Sequence, residues 1–370
     1  MEILLCYCKT HYNPSLSEDE NKFSETSASI NAKILYKVLT EFGNVDYIDA
    51  NDLQKMKNKH YNIVVSINHG YDSIIENITY DKIIYYAVNQ HPISRNKILE
   101  NFAKENQQFI KFRRLFKLIG LNRFFNSEWT KECAPIIKNI NKADSIICLG
   151  NDIVKQSYID NGYPQHKIFN INYELLKGAA RPKEKFNKIP KLLYVGTELC
   201  MRKGFDIIYE LINNLCDSGY DFELTIIGKP RFAYYSELCK KLKQKLKNKL
   251  KYHKLVFKEE YQNIIKNHDF YIFPTIEEGQ AGTVLDAMYN GIIPIITKES
   301  GVDYSPLGYL QPKKNCNKNH EIIKKIFKLS NDDKVKLSKE TADYYNTSHL
   351  GFEERLRNIF DNILRGEDNA

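Results

Sequence analysis

Short apolar runs rich in β-branched and aromatic residues recur along the first half of the chain, at Glu2–Tyr7, Val45–Ile48, Ile63–Ile67, Ile83–Val88 and Ser145–Leu149. Runs of this kind read as parallel strands buried on both faces. Between the first two lies Ser27–Phe42, where Ile30, Ile34, Leu35 and Leu39 repeat at helical spacing. Near residues 173–190 the pattern breaks: YELLKGAARPKEKFNKIP carries Gly178, Pro182, Pro190 and many charges, as a linker does. The alternation then resumes. Strands are expected at Leu192–Val195, Leu224–Ile227, Leu255–Phe257, Phe270–Pro274 and Ile293–Thr297. Helices are expected at Phe205–Asp217, Tyr234–Leu250, Tyr261–Asn267 and Thr283–Asn290. Repeated strand–helix alternation implies parallel crossovers and doubly wound sheets. The reading is α/β: two Rossmann-like lobes facing a cleft, at 1–175 and 191–347, joined by a linker at 176–190. Ligands of such sheets sit at the carboxyl ends of the strands.

Composition changes this picture little. With 370 residues, 42% of them hydrophobic, each half can bury its own core. No apolar run reaches the roughly 20 residues of a membrane span. The start, MEILLCYCKT, lacks the basic region of a signal peptide and reads as a first strand, so a cytoplasmic protein is expected. Of eight cysteines, no two have C-x-x-C spacing, and they read as reduced thiols rather than staples or zinc ligands. The net charge of +8 points to anionic partners, or to nothing more than a lysine-rich composition. Lys240–Lys258 holds nine lysines, but Leu242, Leu246 and Leu250 are spaced four apart, as in a helix with one apolar face and solvated lysines elsewhere. Aromatic interleaving is sparse there, so nucleic acid is not an expected partner.

The chemistry concentrates in FYIFPTIEEGQAGTVLDAMYNGIIP, residues 270–294, which reads as strand, glycine-bearing loop, helix and next strand. Gly279 and Gly282 permit close approach of the backbone to a ligand. The helix opening at Thr283 presents unpaired N–H groups and a positive dipole end, a site for an anion such as a diphosphate. Two carboxylates flank it. Glu278 precedes the loop, and the side chain of Asp286, four residues after Gly282, leans back over the helix start. A carboxylate so placed can accept from the vicinal hydroxyls of a ribose. A second element, YVGTELCMRKGFD at 194–206, sets Gly196 at a strand end and Arg202 and Lys203 before a helix. A planar fork and a point charge there can neutralise a diphosphate leaving group.

These residues resemble the Glu-x7-Glu motif of family-4-like retaining glycosyltransferases with the GT-B fold, here Glu278-x7-Asp286. The resemblance implies that Glu278 is the acid on the transferred sugar and Asp286 the acid on the nucleotide ribose, although Asp is one methylene shorter than the family's Glu. Glu277 competes for the first role, but spacing favours Glu278. The family carries an Arg and a Lys in the loop after the first strand of this lobe. Thr197 stands at the usual Arg, and Arg202 substitutes for it. The resemblance further implies an acceptor-binding first lobe, a nucleotide-sugar-binding second lobe, and a closing helix within 348–370 that packs back toward the first lobe. It makes His91, after Ile83–Val88, a residue lining the donor-sugar site, with His69 as competitor. It implies a nucleotide-diphospho-sugar donor as substrate, no cofactor, and retention of configuration. No convincing Asp-x-Asp follows a strand, so no obligatory metal is expected.

FIKFRRLFKLIGLNRFF, residues 109–125, has five Lys or Arg and no acid. A basic amphipathic segment of this kind can lie in an anionic membrane interface. Arg113, Arg114 and Lys117 are therefore candidates for contact with a membrane or a lipid-linked acceptor, at the inner face of the cell membrane. The rival readings are a nucleotide-sugar 2-epimerase on the same fold and a basic nucleic-acid-binding protein without catalysis.

Overall fold

The computed structural model describes residues 1–8, 12–16, 27–50, 52–53, 59–67, 70–105, 133–176, 178–256 and 258–366. The basic segment 109–125, with Arg113, Arg114 and Lys117, lies outside them, as does His69. The chain divides into two compact units, one of residues 1–93, 135–175 and 349–370, the other of residues 94–134 and 176–348.

The first unit is built on a six-stranded, wholly parallel sheet. Its strands are β1 (Glu2–Tyr7), β2 (Asn44–Asp49), β3 (His60–Ser66), β4 (Thr79–Ala87), β5 (Ser145–Leu149) and β6 (Ile168–Ile171), in the order β2-β1-β3-β4-β5-β6. Ile3, Leu4, Leu5, Val64, Ile84, Ile146 and Ile147 are fully buried, as strands covered on both faces require. Helix α1 (Ser27–Phe42) turns Leu35, Val38 and Leu39 into the core. The last helix, α11 (Phe352–Arg365), belongs to this unit and lies against α1. Phe360 packs on Phe42 with ring centroids 6.1 Å apart, and Arg357 Nε reaches Glu41 Oε2 at 2.6 Å.

The second unit has a five-stranded parallel sheet: β7 (Lys191–Leu199), β8 (Glu223–Pro230), β9 (Leu250–His253), β10 (Phe270–Phe273) and β11 (Ile293–Ile296), in the order β11-β10-β7-β8-β9. Helices α5 (Phe205–Asp217), α6 (Ala233–Leu246), α7 (Lys258–Lys266) and α8 (Gly282–Tyr289) alternate with the strands. Residues 180–191 are tied to this unit by hydrogen bonds: Lys183 N–H donates to Ser338 Oγ at 2.7 Å, and Lys191 N–H to the buried Asp269 carboxylate at 2.9 Å.

One stretch departs from the periodicity. The spacing of Leu242, Leu246 and Leu250 predicts one long helix to Leu250, followed by a strand at Leu255–Phe257. Instead the helix ends at Leu246, Lys247 takes a left-handed φ of 52°, and Leu250 opens β9 with Leu224 as its partner in register. Pairing with β8 outweighs one more helical turn, and Leu255 is left exposed. No described helix is long and apolar enough to cross a membrane.

Candidate functional site

In the second sheet the chain runs outward from β7 through β8 and β9, then returns to the other side of β7 for β10 and β11. The order therefore reverses between β7 and β10, and in open α/β sheets ligands bind at the carboxyl ends flanking such a reversal. The segment after β7 carries Arg202 and Lys203, and the segment after β10 carries Glu277 and Glu278. Backbone bonds stitch the two together. Ile276 N–H and the Thr275 hydroxyl both donate to the Arg202 carbonyl at 2.8 Å, and the Tyr194 hydroxyl donates to the Lys203 carbonyl at 3.0 Å. Gly204 then turns the chain into α5 at φ 69°, where a Cβ would stand 1.8 Å from the Pro274 carbonyl oxygen. Only glycine allows the two segments to approach this closely.

The charges meet as the backbone dictates. Arg202 Nη1 is 2.6 Å from Glu278 Oε1, and Lys203 Nζ bonds the same oxygen. All three side chains are largely buried. Burial by itself raises the Glu278 carboxyl, but Arg202 and Lys203 outweigh it and hold the group below the usual carboxylate range. Glu278 is thus ionised at neutral pH. Glu277 differs. Its side chain is fully buried, Arg95 Nε lies 3.1 Å from its Oε2, and Arg202 Nη1 lies 3.9 Å from the same oxygen. Burial prevails there and lifts the carboxyl above its ordinary value despite both guanidiniums.

The loop between Glu278 and α8 is braced by the turn after β11. Ala281 N–H donates to the Ser300 carbonyl at 2.9 Å, and the Gln280 amide to the Gly301 carbonyl at 3.3 Å. Gly301 has φ 76°, and a Cβ on it would fall 1.6 Å from the Gly279 carbonyl oxygen. Helix α8 starts without a side-chain cap, which leaves its first N–H groups to a ligand or water. The Tyr271 hydroxyl, from β10, donates to Thr283 Oγ1 at 2.6 Å. Asp286 is buried, and burial pushes its carboxyl up to about 7, outweighing the opposing influence of Tyr261 and Gln262 of α7. Burial raises the Tyr271 phenol, and the charges of Asp286 and Glu278 both add to this.

Gly196 sits in β7 at the irregularity between Val195 and Glu198. His91 belongs to the first unit, after β4, and is nearly fully buried. Its N–H donates to Ser157 Oγ at 2.8 Å, its ring packs edge-on to Tyr158, and burial lowers its pKa. Its Nδ1 accepts the Ile93 N–H at 3.3 Å, so the neutral ring carries its proton on Nε2. Several residues of the second-unit cluster escaped sequence reasoning: Arg95, Tyr261, Gln262, Tyr271 and Gly301. Ser-Gly after a strand marks a turn at Gly301, but nothing local marks Arg95, which is far in sequence from every residue it serves. Among the described residues, no group of three or more His, Cys, Asp or Glu is placed to hold a metal ion.

Residues 177–333 match the family model of glycosyl transferases group 1. Protein CapJ of Staphylococcus aureus is 26% identical over 217 residues, which cover 56% of this chain and 48% of CapJ. The chain thus spans about half the length of this curated relative. Sucrose-phosphate synthase from Thermosynechococcus elongatus superposes with a TM-score of 0.66 at 13% identity, over 99% of this chain and 100% of that one. WaaG, a glycosyltransferase involved in lipopolysaccharide biosynthesis, superposes with a TM-score of 0.57 at 14% identity, over 96% of this chain and 99% of its own. The fold shared with these structures is GT-B.

Proposed function

We propose that this chain, whose residues 177–333 match the family model of glycosyl transferases group 1, moves a sugar from a nucleotide-diphospho-sugar to a glycan or lipid-linked acceptor. One observation carries the reading: Arg202 and Lys203 from the end of β7 meet Glu278 from the end of β10 at the reversal of strand order. In this reading Asp286 accepts from the ribose hydroxyls. Arg202, Lys203 and the uncapped start of α8 face the diphosphate, and Glu278 faces the sugar. As the glycosidic bond breaks, negative charge grows on the leaving diphosphate, and fixed cations stabilise it without reorganisation. These cations supply the counter-charge that a metal provides elsewhere, so no obligatory metal or cofactor is proposed. Retention of configuration follows from the family resemblance, as does a place for His91 on the donor-sugar side. The part WaaG plays in lipopolysaccharide synthesis supports a surface glycan as product. Thermal stabilisation by a panel of nucleotide-sugars tests the donor: a ligand at 100 times its Kd adds about 2.7 kcal/mol. If no nucleotide-sugar raises Tm, the donor assignment fails. Release of an epimerised nucleotide-sugar with donor alone would favour the epimerase instead.

We also assign membrane contact at the inner face of the cell membrane to residues 109–125. The full chain is expected to sediment with vesicles containing anionic lipid, and the double substitution Arg113→Glu, Arg114→Glu to remain in the supernatant. Unchanged partitioning of the variant would remove the assignment.

A further inference from the structure

Glu277 is a carboxylate with no solvent exposure, and neither of its oxygens makes a hydrogen bond among the described residues. What surrounds it is charge: Arg95 Nε at 3.1 Å and Arg202 Nη1 at 3.9 Å from Oε2. Arg202 Nη1 also lies 3.3 Å from the Glu277 carbonyl oxygen, to which it donates, and 2.6 Å from Glu278 Oε1. Burying an ion without hydrogen bonds is costly, and an apolar residue of similar volume commonly serves a core at least as well. The arrangement makes sense through its effect on Arg202. Lys203 and Arg202 share one oxygen of Glu278. Glu277 draws the same guanidinium from the other side, and Arg95 balances the charge that Glu277 brings.

We propose that Arg95 and Glu277 are a positioning pair, holding the Arg202 guanidinium between two carboxylates in the orientation that meets the donor diphosphate. The inference rests on the reading of Arg202 as a diphosphate contact. It assigns a role to Arg95, from the helix Pro92–Glu105, which no motif marks. The pair touches neither donor nor acceptor in this scheme and acts through Arg202.

The test compares the wild type with Glu277→Gln, Arg95→Lys and the double variant Arg95→Met, Glu277→Leu. Tm, Kd for UDP, GDP and ADP, and kcat and KM for the donor are measured on the full chain. Glu277→Gln leaves two cations with less compensation and should lower both Tm and kcat. The double variant removes both charges and should recover Tm, because a buried ion pair can be exchanged for apolar residues at little cost. Its kcat should nevertheless stay at least about 10-fold down, with weaker binding of the preferred nucleotide. A double variant with wild-type kcat and nucleotide affinity would make the pair merely structural and overturn the inference. If the double variant does not fold, Arg95→Lys decides: it keeps the charge but not the planar guanidinium 3.1 Å from Glu277 Oε2, and wild-type kcat in it would likewise overturn the positioning role. A wild type that binds none of the three nucleotides refutes the underlying reading of the site, an outcome distinct from a wild type that binds and a double variant that matches it.

Discussion

Glu278→Gln is expected to lower kcat/KM for sugar transfer by about 10²–10³-fold, the usual effect of removing one electrostatic contact that matters in the transition state. Glutamine keeps the shape of the side chain and an oxygen for Arg202, so the change isolates the charge. That charge is present at neutral pH because Arg202 and Lys203 outweigh burial. A second consequence follows from the same geometry. Removing one partner of a buried ion cluster costs about 3–5 kcal/mol, and Arg202 and Lys203 would lose the negative charge they share. Tm should therefore fall, and the rate must be read well below it. Nucleoside diphosphate binding separates lost chemistry from lost fold. With one negative charge gone beside the cations, affinity for the diphosphate should hold or tighten while transfer collapses. Wild-type turnover in this variant would remove Glu278 from the reaction.

The second large effect belongs to Asp286. Its carboxyl stands at about 7, against an ordinary value of 3.8, because burial outweighs the lowering influence of Tyr261 and Gln262. Ribose hydroxyls donate most strongly to the ionised form, so affinity for a nucleoside diphosphate should rise from pH 6 to pH 8. Asp286→Asn should weaken binding about 10-fold at pH 8, roughly the worth of a charge-assisted hydrogen bond, and flatten the pH dependence. Stability moves the other way. An acid whose folded value is raised holds its proton in the folded chain at pH values where the unfolded chain has released it. Its contribution is complete below about 3.8 and is lost as pH rises through about 7. Calorimetric scans between pH 4 and pH 8 should show this decline in the wild type and not in Asp286→Asn. A wild-type binding profile flat over pH 6–8 would mean that the Asp286 carboxylate does not contact the ribose.

The two parallel sheets and the strand–loop–helix around Glu278 and Asp286 are legible in the sequence because both are local patterns. A buried parallel strand must be apolar along its whole length, so LLCY, IVVS and FYIF announce themselves. Ser27–Phe42 and Phe205–Asp217 are bounded in the structure where the periodicity bounds them. At Lys247–Val256 a continued four-residue spacing of leucines competes with strand pairing that no local signal records. Tertiary contact overrode the local period there.

The chain's own order of residues thus determines the strands, the glycines that permit tight turns, and the types of charge that gather after β7 and β10. It cannot determine which acid takes which cation. Glu277 and Glu278 are neighbours in sequence and both carboxylates, yet one is held below the ordinary range and the other above it. Only folding decides this, because the interaction of two charges depends on their separation and on the water excluded around them. The strand order that sets β10 beside β7, and the helix that delivers Arg95 to Glu277, exist only in three dimensions.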